Sequence, residues 1–253
     1  MHHSVLDHVA IGTRTLADGW NLFGGILGGR WAYGGDSPGY WWGQLSFASG
    51  PKVELLTPTG GPDAGFLERF LAAHGPGPHH FNFMVADIDS TLSAVRSLGI
   101  EPVGVNLLDV GWKEAFIHPR DACGVVIQIA QQDRAPSAGS PPAALPAPGP
   151  AADFSLVEQH VSDLAGALRL FGGALGGQIS GQTATEAGPT AELTWPDGGR
   201  VRLVQAVNGG GDGEWKASGI ARLEFRARSP LGTPERGEAS LLAGRLGVPL
   251  SIR

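Results

Sequence analysis

The sequence predicts an α+β protein built from tandem strand–helix–strand–strand–strand (βαβββ) units in two domains. Three observations predict this. One order of apolar patterns returns along the chain, a Pro/Ala-rich stretch interrupts it after two copies, and 40 glycines and 19 prolines supply many turns.

Residues 5 to 12 alternate like a strand. Leu16, Trp20, Phe23 and Leu27 then fall on one helix face, and Gly28-Gly29 stops that helix. Arg30 to Tyr33, Tyr40 to Ala48 and Lys52 to Pro58 read as three strands, which closes the first unit. Gly65 to His74 is a connecting helix with Phe66, Leu67, Phe70 and Leu71 on one side. The order then returns with a strand at Phe81 to Val85. A helix over Ser90 to Leu98 follows, capped by Asp89 or Ser90 and ended by Gly99. Strands at Pro102 to Leu107, Trp112 to Ile117 and Val125 to Ala130 complete the second unit.

Residues 133–152 are a Pro/Ala linker without a core-forming pattern, so 1–132 and 153–253 are expected to be separate domains. The second half predicts strand Phe154 to His160 and helix Asp163 to Gly173. Strands Gln178 to Thr185, Ala191 to Trp195 and Val201 to Ala206 follow. A fourth unit has strand Ile220 to Ala227, helix Glu235 to Leu246 and at most one further strand at Val248 to Arg253. It is about two strands short of its siblings by the repeat pattern. Either its sheet is incomplete or a second copy of the chain completes it, as in a homodimer.

The chain is long enough, at 253 residues, to bury a substantial core. A net charge of -6 argues against nucleic acid or an anionic membrane surface as main partner. One cysteine, Cys123, permits no intrachain disulfide. No apolar run approaches the ~20 residues of a membrane-spanning helix, and no signal-peptide core precedes the first strand. A cytoplasmic protein acting on a small molecule is expected.

Four apolar strand-like runs carry polar groups at their centres. They are Val5-Leu6-Asp7-His8-Val9-Ala10-Ile11, Lys52-Val53-Glu54-Leu55-Leu56, His79-His80-Phe81-Asn82-Phe83-Met84-Val85 and Gly124-Val125-Val126-Ile127-Gln128-Ile129-Ala130. An unpartnered buried carboxylate or amide costs several kcal/mol. Four such runs, all with possible metal ligands, suggest side chains that meet and satisfy one another through an ion.

The repeated unit, opened by Leu6-Asp7-His8-Val9-Ala10-Ile11, resembles the vicinal oxygen chelate (glyoxalase, bleomycin resistance and dioxygenase) superfamily. Residues 5 to 131 are most similar to its methylmalonyl-CoA epimerase branch. The pieces that carry this are Leu-Asp-His-Val-Ala at 6–10, Val-Glu-Leu-Leu-Thr-Pro at 53–58 and Phe-Leu-Glu-Arg-Phe-Leu at 66–71. Gly-Pro-Gly-Pro-His-His-Phe at 75–81, Phe-Ile-His-Pro at 116–119 and Gly-Val-Val-Ile-Gln at 124–128 complete the set. The resemblance implies units paired into cup-like curved sheets around one divalent ion, whether zinc, nickel, cobalt, manganese or iron. It implies His8, Glu54, His80 and Gln128 as ligands. Adjacent strand residues face opposite ways, and the family pattern selects His80 over His79.

In such enzymes the ion acts as a Lewis acid on two substrate oxygens and stabilises an enediolate. A neighbouring carboxylate moves the proton. The resemblance implies an isomerase- or lyase-type reaction on an acyl-CoA or 2-oxo compound. It would place carboxylates at 44 and 128, where this chain has Gln44 and Gln128. Glu54 is then the remaining carboxylate ligand and could leave the metal to act as base; Glu114 or His118 could serve instead if they face the cup. Trp42, His79, His118 and Arg120 are candidate substrate contacts; they could instead form a pocket wall (Trp42), support a metal ligand by a hydrogen bond (His79) or shape a turn (His118 and Arg120). An extradiol-type dioxygenase, or a binding and resistance protein without turnover, are the alternatives. In the second half, aligning helix starts sets Leu156 opposite His8, Arg202 opposite Glu54 and Arg222 opposite His80. That set cannot hold a divalent cation, so the second half is expected to be structural, an oligomer contact or an anion site.

Overall fold

A computed structural model describes residues 4–61, 64–133, 139–185, 188–205 and 219–253. The first half runs β1 (Ser4–Gly12), α1 (Leu16–Gly19) with a π-helical continuation (Trp20–Ile26), β2 (Arg30–Ser37), β3 (Tyr40–Ser46), β4 (Lys52–Pro58) and α2 (Gly65–His74). It continues with β5 (Gly77–Val85), α3 (Ile88–Ser97), β6 (Val103–Asn106), β7 (Trp112–Ile117) and β8 (Val126–Gln132). The second half has β9 (Ala152–Val161), α4 (Leu164–Leu168) with a π-helical continuation (Arg169–Ala174), β10 (Gln178–Thr185), β11 (Gly188–Thr194) and β12 (Arg200–Gln205). It ends with β13 (Gly219–Ala227), α5 (Thr233–Arg245) and β14 (Leu250–Ile252). This is a mixed α+β fold with repeated βαβββ units.

Two sheets form. The first has the order β2-β3-β4-β1-β5-β8-β7-β6, and the second β10-β11-β12-β9-β13-β14. In the first sheet each unit contributes four strands, and the opening strands β1 and β5 are neighbours at its centre. Within a unit the opening strand pairs in parallel with the last one: β1 with β4, and β5 with β8. A long connection is needed to make such a parallel pair, and in each unit the helix and the two strands after it supply it.

By packing, the described residues fall into two compact units that do not follow the two sheets. One takes the described residues within 8–79, 136–155 and 222–253; the other takes those within 1–7, 80–135 and 156–221. The core of the first gathers Phe23, Phe47, Phe154 and Phe225, with ring centroids 4.5 Å apart for Phe154–Phe225 and 5.0 Å for Phe47–Phe225. It also contains Asp153, which accepts from Ser49 and Arg228, both at 2.7 Å. The Arg228 guanidinium holds its carboxyl below the usual range. The core of the other unit gathers Phe81, Phe83, Phe171 and Trp195, with Phe83–Trp195 at 5.2 Å.

Two local features differ from the sequence expectation. Both long first helices finish in π winding, where Leu27 N–H donates to Leu22 O at 3.0 Å and Leu175 N–H to Leu170 O at 2.9 Å. The segments are near copies, Leu22-Phe23-Gly24-Gly25-Ile26-Leu27-Gly28-Gly29 and Leu170-Phe171-Gly172-Gly173-Ala174-Leu175-Gly176-Gly177. Gly28 and Gly176 leave the helix at φ +65° and +69°, a conformation that favours glycine. The glycine face also seats part of the linker: a Cβ on Gly28 would lie 2.3 Å from Pro150 O, and Gly149 N–H donates to Gly24 O. Of the linker expected at 133–152, residues 134–138 lie outside the described residues. The second difference is the cap of α3, which is Asp87 rather than Asp89 or Ser90. Its Oδ1 accepts from Ser90 N–H at 3.1 Å, so the helix starts at Ile88. Among the described residues no helix is long and apolar enough to cross a membrane.

Candidate metal centre

Strands β1, β4 and β5 lie side by side, and each brings one polar side chain out of an apolar run. His8, Glu54 and His80 are 2%, 7% and 6% exposed. Each offers one ligand atom, and these atoms all lie within 4.8 Å of one another. His8 Nε2 is 3.6 Å from Glu54 Oε1. Gln44 on β3 stands opposite Glu54 in the β3–β4 register. Its Nε2 donates to Glu54 Oε2 at 2.7 Å and lies 3.2 Å from His8 Nδ1. Gln44 thus grips both the carboxylate and the second imidazole nitrogen, which leaves His8 Nε2 facing Glu54. Ligands held about 2.0–2.2 Å from a zinc-like ion are at most about 4.4 Å apart, close to the spread seen here. Two imidazoles and one carboxylate also suit a borderline divalent cation.

Gln128 lies in a neighbouring network. Its Oε1 accepts from Asn82 Nδ2 at 2.8 Å, and its Nε2 donates to Glu114 Oε2 at 2.8 Å. The same carboxylate oxygen accepts from Trp112 Nε1 at 2.9 Å. Asn82 stands opposite Gln128 on β5 and β8, as Ala10 stands opposite Glu54 on β1 and β4. Gln128 therefore holds in the second unit the place that Glu54 holds in the first. Sequence reasoning passed over Asn82, although its spacing of two from His80 was a usable signal.

Residues 7–116 match the model of the Glyoxalase/Bleomycin resistance protein/Dioxygenase superfamily. The match covers 110 of the 253 residues, under half of the chain. No curated protein sequence matches the chain. Among solved structures, a mutant of 4-hydroxymandelate synthase from Streptomyces coelicolor is 14% identical with a TM-score of 0.63, over 97% of this chain and 76% of that one. A xylose isomerase-like TIM barrel/4-hydroxyphenylpyruvate dioxygenase fusion protein is 14% identical with a TM-score of 0.60, over 94% of this chain and 38% of that one. Methylmalonyl-CoA epimerase from Mycobacterium tuberculosis is 25% identical with a TM-score of 0.46, over 51% of this chain and 89% of that one. The first two share the fold with this chain.

The other candidate residues of the superfamily segment and its neighbourhood have local partners. Trp42 and Tyr40 pack with Phe70 against Ala10, Leu56, Leu67 and Leu71. The His79 ring meets Phe66 and Phe70 at 5.6 and 4.7 Å, and burial pushes its pKa down to about 4. A neutral imidazole is the result near pH 7. His118 and Arg120 shape the turn after β7: His118 Nδ1 accepts from Arg120 N–H at 3.2 Å, and the Arg120 guanidinium reaches Asp121 at 3.3 Å.

The second sheet repeats the register with different chemistry. Arg202 stands opposite Glu158 on β9 and opposite Glu192 on β11. These positions correspond to Glu54, Ala10 and Gln44 in the first sheet, and Leu156 corresponds to His8. Arg202 donates twice to Glu192 Oε1, at 3.0 and 2.7 Å. Burial opposes the ionised Glu192, yet Arg202 and Arg200 outweigh it and hold the carboxyl below its usual range. An ion pair thus stands where the first sheet gathers metal-type donors. Its arginine is engaged by carboxylates, which weakens the anion-site reading for this half.

Proposed function

We propose that the chain is a divalent-metal-dependent enzyme of isomerase or lyase type that moves a proton at a carbon beside a carbonyl, on an acyl-CoA or 2-oxo substrate. The observation that carries this is the buried convergence of His8, Glu54 and His80. A cation held there supplies Lewis acidity toward substrate oxygens. Glu54 is the carboxylate of the cluster and the group that takes up the proton. Gln44 steadies it by donating to Oε2, and leaves Oε1 toward His8. The amides of Gln44 and Gln128 orient groups and bind no proton themselves.

The experiment combines metal analysis with proton exchange. Purified protein is expected to hold one equivalent of a divalent metal and to exchange the α-proton of an acyl-CoA or 2-oxo acid with deuterated solvent. His8→Ala should lose metal and exchange together. Protein that carries no stoichiometric metal sinks this reading and favours a binding protein without turnover. One observation favours a second reading: two histidines and one carboxylate are also the donor set of ferrous dioxygenases. Iron in the protein with substrate-dependent oxygen uptake would select it.

A further inference from the structure

The hydrogen-bonded chain Trp112–Glu114–Gln128–Asn82 has a fixed polarity. The indole Nε1–H of Trp112 only donates, and it donates to Glu114 Oε2. The Glu114 carboxylate only accepts, so Gln128 presents its Nε2 to it. The Gln128 oxygen is thereby turned toward β5, where Asn82 Nδ2 donates to one of its lone pairs. Asn82 completes the sequence with Oδ1 turned away, fully buried and without a hydrogen-bond partner. One carboxylate therefore decides which end of the Gln128 amide faces the strand that carries His80. The distinction is chemical: an amide oxygen can ligate a cation through its second lone pair, while an amide NH2 cannot.

We propose that Glu114 is a positioning residue that holds the Gln128 amide with its oxygen toward β5, and so makes Gln128 the fourth ligand of the cation at His8, Glu54 and His80. This rests on the metal reading above and deepens it. Glu114 touches neither the ion nor the substrate, and acts through Gln128. The neighbouring indole keeps the carboxylate in place, as an outer partner orients a ligand in other metal sites.

The test uses Co²⁺ binding by the full chain, with affinity read by competition and ligation by the visible spectrum. Glu114→Gln keeps an acceptor for both Trp112 and Gln128, and is expected to bind as the parent does. Glu114→Lys presents only donors, draws the amide oxygen toward itself and should weaken Co²⁺ by about 10–100-fold, the range for lost outer partners. Gln128→Ala should weaken Co²⁺ to a similar extent and give the same altered spectrum. In the Gln128→Ala background, Glu114→Lys should add nothing. A purely electrostatic effect of the new charge would instead persist in that background and overturn the proposal. Parent-like Co²⁺ affinity in a folded Glu114→Lys protein would also overturn it. Should the lysine variant fail to fold, Glu114→Ala runs through the same cycle with the same expectations. His8→Ala separates the two levels. If it retains Co²⁺, the metal reading has failed; if it loses Co²⁺ while Glu114→Lys does not, only the role of Glu114 has failed.

Discussion

His79 makes the stability of this protein depend on pH in a calculable way. Its ring sits against Phe66 and Phe70, and burial lowers its pKa from 6.5 to about 4. The unfolded chain therefore binds a proton near pH 6.5, while the folded chain resists it until about pH 4. The unfolded state holds more protons in that window, so stability is highest above it and falls as pH drops. Between pH 8 and pH 5 the linkage amounts to about 2 kcal/mol from this one group. His79→Phe removes the titration and keeps an aromatic ring beside α2. Urea unfolding followed by circular dichroism, with chelator present so that metal release adds no pH dependence, gives the comparison. The parent should lose about 2 kcal/mol more than His79→Phe between those two pH values. Equal losses in the two proteins would show that the folded state protonates His79 as readily as the unfolded one, and the argument from burial would be wrong.

Two further substitutions test the packing and the site. Gly28→Ala places a Cβ at φ +65° and 2.3 Å from Pro150 O, so it should destabilise the protein by more than about 1 kcal/mol, seen as a lowered Tm. An unchanged Tm would mean that the linker does not rest on this turn. Gln44→Glu sets a second carboxylate in place of an amide that donates to Glu54 at 2.7 Å. Repulsion raises the carboxylate pKa, so the chelated variant should lose stability relative to the parent as pH rises through the carboxylate range, and added Zn²⁺ should restore it. Identical pH profiles with and without Zn²⁺ would count against an ion at this position.

Much of the architecture is legible in local patterns. Alternation placed the strands, and a 3.6-residue spacing placed the helices, because burial on one side of each element needs those periods. Polar residues inside apolar runs marked His8, Glu54 and the His79-His80 pair, because a buried charge or imidazole requires company, and the family resemblance chose His80 from the pair. Local pattern did not show π winding, which depends on bonds five residues apart around glycine pairs. It also placed the α3 cap two or three residues late, at Asp89 or Ser90, since Asp87 and Asp89 look alike until the backbone turns.

The sequence by itself determined the order of elements, the repeat and the types of donor available to a cation, all of which follow from periodicity and side-chain chemistry. Only the tertiary structure decided that β1 lies beside β5, that Gln44 grips Glu54, and that Glu114, which also accepts from Trp112, accepts from Gln128 and so sets the direction of its amide. It alone grouped residues 8–79 with 222–253 and residues 80–135 with 156–221. Strand partners and register are set by contacts between distant segments, and no local window of residues contains both sides of such a contact.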